Sequence, residues 1–189
     1  GALTEILFEH AGQGELSLLM PALSQLTHEG RFVAMIDPPW TPYAPALSAS
    51  GIHLPNFISI GPLNDDDCLW TLEQVLRAGH CGAVLAWPGD KLDTKMLRRL
   101  QLAAEAGGCS GFLFRHSRHR DQHAPAALRL QWHHDGETPQ VEIIKCRGRY
   151  FTLVKVVNEQ CELRAVRHGR AAVVPRGQHL ACGARIEPG

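Results

Sequence analysis

Residues 11–15, Ala11-Gly12-Gln13-Gly14-Glu15, form the first pattern with chemical content. They follow a short apolar run, Leu3 to Phe8, and precede an apolar-periodic segment that begins near Glu15. Strand, glycine turn and helix is the layout of a phosphate-binding loop. In such a loop backbone N–H groups wrap the phosphates, a lysine neutralises them, and a Ser or Thr hydroxyl holds magnesium. Here Glu15 and Leu16 stand where that chemistry needs Lys and then Ser or Thr, and a carboxylate at that point repels a triphosphate. A second element is also missing. The apolar run from Cys81 ends in Ala86-Trp87-Pro88, where a nucleotide hydrolase of this layout carries an acidic residue for magnesium. The next carboxylate, Asp90, follows Pro88-Gly89 and reads as a helix cap. Gly12, Gly14, Glu15 and Trp87 therefore mark a degenerate nucleotide site, with no cofactor expected.

Two further groups are candidates for binding. Arg115, Arg118 and Arg120 lie in a polar stretch without apolar period, Arg115 to His123, which reads as a mobile loop; Lys145, Arg147 and Arg149 follow later. Together they predict a basic edge for DNA or an acidic partner. Trp40 and Tyr43 lie in Asp37-Pro-Pro-Trp-Thr-Pro-Tyr-Ala-Pro45, where four prolines fix the backbone just beyond a strand. Rigid loops at that edge of an open sheet carry partner contacts, and packing of the loop on itself is the alternative. His116, His119, His123, His133 and His134 match no recognised metal-ligand spacing, so no metal site is predicted. The six cysteines are scattered without a CxxC pair and read as reduced small hydrophobes, which fits a cytoplasmic chain.

These residues need a scaffold. The chain has 189 residues, enough for one domain with an appendage and a sizeable core. Formal net charge is zero, which excludes steering of the whole molecule toward nucleic acid. The charge is uneven: residues 1–111 carry 6 basic and 12 acidic residues, and residues 112–189 carry 13 and 7. No apolar run reaches the roughly 18 residues that span a bilayer, so no membrane partner is expected. The chain starts on a core strand without Met, which reads as a fragment, a processed product or a trimmed chain.

Leu16, Leu19, Leu23 and Leu26 predict a helix with Pro21 inside it, hence a kink or a late regular start. Strands follow at Phe32–Ile36 and Asn56–Ile60. Asn64-Asp-Asp-Asp67 starts a second long helix, with acidic side chains at the positive end of its dipole. Cys81 to Trp87 is a central strand, Leu92 to Ala106 an amphipathic helix and Ser110 to Phe114 another strand. From Ala127 the pattern changes to alternating strands, with a turn at Asp135-Gly136 and a return at Gln140 to Cys146. Residues 150–157 are β-prone, Glu162 to Val174 reads as a second hairpin, and the last fifteen residues read as poorly ordered. This predicts an α/β fold: a RecA-like, mainly parallel sheet flanked by helices, with a C-terminal antiparallel hairpin and a degenerate phosphate loop, over residues 1–149. Residues 150–189 form a partly flexible β-rich extension.

Several stretches resemble the ImuA family, SulA-related and RecA-like accessory proteins of mutagenic DNA repair. They include Gly14-Glu-Leu-Ser-Leu-Leu-Met-Pro-Ala-Leu23, Ala78-Gly-His-Cys-Gly-Ala-Val-Leu-Ala-Trp87, Leu97-Arg-Arg-Leu-Gln-Leu-Ala-Ala-Glu105 and Val141-Glu-Ile-Ile-Lys145. The resemblance implies a non-catalytic role in the DNA-damage (SOS) response, supporting translesion synthesis. Its implied partners are an ImuB-type Y-family-like protein, an error-prone replicative-type polymerase and RecA. The SulA relationship gives the alternative, a cell-division inhibitor that binds the tubulin-like protein FtsZ. An enzyme is disfavoured, because no base, nucleophile and phosphate or metal site converge in the spacing.

Overall fold

The computed structural model describes residues 1–134, 139–147, 153–157, 162–167 and 170–173. The short apolar runs become parallel strands, and those inside the sheet are covered on both faces, which is why they lack polar alternation. In chain order the first half is β1 (Ala2–Phe8), α1 (Met20–His28), β2 (Phe32–Ile36), α2 (Ala44–Ala49), β3 (Phe57–Ile60), α3 (Asp65–Ala78), β4 (Cys81–Ala86), α4 (Thr94–Gly107) and β5 (Ser110–His116). The second half is β6 (Leu128–His134), β7 (Pro139–Cys146), β8 (Leu153–Val157), β9 (Glu162–Arg167) and β10 (Arg170–Val173). All ten strands join one sheet in the order β10-β9-β8-β7-β6-β1-β5-β4-β2-β3. Strands β1 to β6 pair in parallel, and β6 onward pair antiparallel. The antiparallel part holds the two hairpin pairings expected, β6 with β7 and β9 with β10, and β8 joins them into a meander.

The period of two divides the strands between two cores. Leu3, Ile36, Val84 and Leu113 pack with Leu72, Leu76, Leu97 and Leu100 of α3 and α4. Ile6, Met35, Leu85 and Phe114 pack with Leu23 of α1 on the other face. Every residue of β4 is buried, as befits its central place.

Two local expectations are corrected, and the late regular start of the first helix forms as read. The chain after the glycine turn is first a 3-10 turn, Glu15–Leu18, and α1 starts only at Met20, with Pro21 in the first turn where no partner for its nitrogen is needed. Asp93, not Asp90, caps α4, its Oδ1 accepting the Met96 N–H at 2.7 Å. The stretch from Arg115 is no free loop. β5 continues to His116, a 3-10 turn covers Ser117–His119, and side chains tie the segment down. The Asn64 cap of α3 forms as read, its Oδ1 accepting the Asp67 N–H at 2.9 Å. The turn at Asp135-Gly136, Arg149 and the last fifteen residues lie outside the described residues. Among the described residues no helix is long and apolar enough to cross a membrane.

Candidate functional site

Because β1, β2, β4 and β5 are parallel, the segments after them share one edge of the sheet. The glycine turn lies there. Gly12 and Gly14 both have φ of 85°, a left-handed conformation that disfavours any side chain. Glu15 folds back beneath the turn: it is 3% exposed, and its Oε1 accepts the Gly12 N–H at 2.8 Å. A loop amide of the kind that would meet a phosphate is thus satisfied by the chain's own carboxylate. Two indoles flank the turn. Trp132 Nε1 donates to the Gln13 carbonyl at 3.2 Å, and a Cβ added at Gly12 would lie 3.2 Å from the Trp40 ring. Trp87 packs instead, its ring stacked on Phe114 with centroids 4.6 Å apart and planes 10° apart.

The turn that presents Trp40 and Tyr43 is set by Asp37. Its φ of 52° places it in the left-handed region, which Asp tolerates better than most residues. Its backbone N–H donates to the Ile60 carbonyl at 2.7 Å, and its Oδ1 accepts the Leu63 N–H at 3.0 Å. The chain therefore turns sharply out of β2 into Pro38-Pro39. Trp40 and Tyr43 emerge 61% and 71% exposed. Phe32, Leu54 and Ile58 are also exposed, so five of the seven large exposed hydrophobics among the described residues fall between residues 32 and 58. Trp40 and Tyr43 lie beyond the C-terminal end of β2, whereas Phe32 opens β2 and Ile58 lies on the sheet's edge strand β3.

The basic candidates are placed differently. Arg115 is buried, 2% exposed. Its Nη1 donates to Glu5 at 3.3 Å, and its Nη2 to the Leu92 carbonyl at 3.1 Å and Gln122 at 2.9 Å. Burial lowers its pKa, and Glu5 opposes that shift. Arg129 reaches the same carboxylate at 2.7 Å and binds the Arg120 and His119 carbonyls at 2.9 Å. Arg120 forms a bidentate pair with Glu142 at 2.9 and 2.6 Å, and that hydrogen bond raises the guanidinium pKa and depresses that of the carboxyl. Lys145 donates to the Ala124 carbonyl at 2.6 Å, with its pKa lowered first by burial. Arg118 binds Asp90, whose carboxyl is held below its ordinary value by hydrogen bonds from Arg118 and His119. Arg147 lies 3.7 Å from Glu105. The described basic residues are therefore largely answered by carboxylates and carbonyls of the chain. The sequence reading missed Glu5, Arg129 and Asp37. The available signal was a carboxylate within the apolar run Leu3 to Phe8. Among the described residues no three His, Cys, Asp or Glu side chains converge on a metal position.

The family model described as "Cell division inhibitor SulA" matches residues 1–111. The chain is 27% identical over 118 residues to the cell division inhibitor SulA of Serratia proteamaculans, covering 62% of this chain and 70% of that protein. It is 29% identical over 123 residues to that of Klebsiella aerogenes, covering 65% and 73%. The crystal structure of SulA from Pseudomonas aeruginosa shares the fold with a TM-score of 0.50 and 22% identity, over 60% of this chain and 97% of that one. These findings overturn the ImuA resemblance, because the matched family and the named relatives are SulA. The role in translesion synthesis falls with it, as do the partners it implied: the ImuB-type protein, the error-prone polymerase and RecA. The SulA relationship alone had a wider base, since the matched stretch runs from β1 into β5. SulA proteins are inhibitors and not enzymes. With residues 1–111 of 189 matched, the chain belongs to the SulA family of cell division inhibitors.

Proposed function

We propose that this chain inhibits cell division by binding FtsZ in the cytoplasm, as part of the response to DNA damage, and that it meets FtsZ through the surface around Trp40 and Tyr43. The observation that carries the reading is the coincidence of the family match with the exposed apolar side chains. The matched residues 1–111 include all seven of those large hydrophobics, and five lie between residues 32 and 58. Trp and Tyr give large contact areas at little conformational cost, which is why they dominate interface energies. The Asp37 turn and the prolines hold Trp40 and Tyr43 in place before any partner arrives, so little ordering entropy opposes docking.

The test is FtsZ polymerisation, followed by sedimentation with GTP. Added chain should lower the pelleted fraction in proportion to its concentration. Unchanged polymer at a several-fold excess of chain, with no co-sedimentation, would refute the reading.

In the same reading the parallel half is a RecA-like core whose nucleotide site has closed. Its support is the placement of β5 between β1 and β4 and the Glu15 carboxylate on the Gly12 N–H. Mg-ATP should leave the melting temperature unchanged, since only a ligand that binds the folded state raises it; a rise above about 2 °C overturns the idea.

A further inference from the structure

We propose that His28 and His53 form a two-histidine site for a divalent first-row transition-metal ion. His28 is the last residue of α1, and His53 lies just beyond α2. Their ring centres are 5.7 Å apart, with planes inclined by 46°. An ion bound at 2.0–2.1 Å to one nitrogen of each ring lies about 3.2 Å from each ring centre. Tetrahedral geometry then separates the centres by about 5–6 Å. The observed centre-to-centre distance of 5.7 Å falls within that range.

The hydrogen bonds select the tautomer such a site requires. His28 Nδ1 is 3.0 Å from the Ser24 carbonyl, and His53 Nδ1 is 3.3 Å from Asn56 Oδ1. The Ser24 carbonyl can only accept, so Nδ1 of His28 carries the proton, and the Asn56 amide oxygen favours the same tautomer for His53. In the neutral ring the lone pair is then on Nε2. An imidazole whose other nitrogen donates to a carbonyl oxygen is the usual arrangement for a metal-ligating histidine, because the donation orients the ring and raises its basicity.

The separation is fixed by the backbone and not by the rings alone. The His53 N–H donates to Thr27 Oγ1 at 3.0 Å, and Ser24 Oγ donates to the Gly51 carbonyl at 2.7 Å. These bonds clamp the segment carrying His53 onto the last turn of α1, whose dipole also favours a cation at that end. The two rings stand in an open groove of about 350 Å³, also lined by Ser48, Ile52 and Pro55. That volume admits the water ligands that complete four-coordination around two nitrogens. With only two protein ligands the ion is exchangeable, and the imidazole pair favours zinc, copper or nickel over calcium or magnesium.

Titration of the full chain with Zn²⁺ near pH 7.5, followed by calorimetry, tests the site. One ion per chain is expected, and His28→Ala or His53→Ala should each lower the affinity by about tenfold or more. The double variant His116→Ala/His123→Ala should stay within about twofold of the parent, which separates the groove from the other histidines. Loaded with Cu²⁺, the parent should show hyperfine coupling to two nitrogens and each single variant to one. Both rings are exposed, so these variants keep the fold, as circular dichroism would verify. Absence of stoichiometric binding, affinity unchanged in His28→Ala and His53→Ala, or loss of binding in the His116/His123 variant would each overturn the proposal.

Discussion

Around β6, β1 and β5, charged side chains lie inside the protein and are paired; around β2 and β3, large apolar side chains face solvent. The inversion teaches where this molecule can act. A guanidinium buried beside a carboxylate has exchanged its water for fixed partners and offers nothing to a ligand. An exposed indole on a proline-braced turn is still hydrated, and a partner that covers it gains the hydrophobic term. Among the described residues the basic side chains of residues 112–147 are therefore not the better candidates for contact, although net charge read along the sequence suggests that they are.

The largest expected effect breaks the charged end. Glu5→Ala leaves the buried Arg115 and Arg129 without their shared carboxylate and should destabilise the protein by about 3–5 kcal/mol in urea unfolding. Replacing Glu5, Arg115 and Arg129 together by Leu, Met and Met should recover most of that loss. If Glu5→Ala costs under about 1 kcal/mol, the trio is solvated and the contrast between the two ends fails.

The second prediction breaks the apolar end. Trp40→Ala/Tyr43→Ala should reduce FtsZ inhibition by about 30-fold, the equivalent of roughly 2 kcal/mol, with folding stability changed by less than about 0.5 kcal/mol. Charge reversal at Arg118 should change inhibition by less than about twofold. The opposite ranking in the same polymerisation assay would move the contact surface to the other end of the sheet.

The smallest effect sharpens the contrast through pH. Arg120 depresses the Glu142 pKa below its ordinary value of 4.5. A depressed carboxylate contributes stability above its unfolded pKa, and that contribution fades as pH falls through the folded value. Arg120→Ala should therefore cost about 0.5–1 kcal/mol near neutrality, allowing for the partial exposure of the pair. The difference from the parent should shrink steadily below about pH 4.5. A difference that persists to about pH 2 would assign the Arg120 effect to packing of its stem.

Much of this protein was legible from its sequence. Continuous apolar runs fixed β2, β4 and β5, because strands covered on both faces need no polar alternation. Asn64 before three aspartates fixed the start of α3, because capping is a local matter of one side chain and one N–H. The mismatch of Glu15 with phosphate chemistry was equally local. What only the tertiary structure decided depends on pairs far apart in the chain. Glu5 meets Arg115 and Arg129 across 110 and 124 residues. Asp37 is held by Ile60 and Leu63, and His28 faces His53 across the end of α1. Sequence alone states which groups are charged, aromatic or able to bind a metal. Whether such a group is buried and paired or held out to solvent is set by which strands become neighbours, and that is a property of the folded sheet.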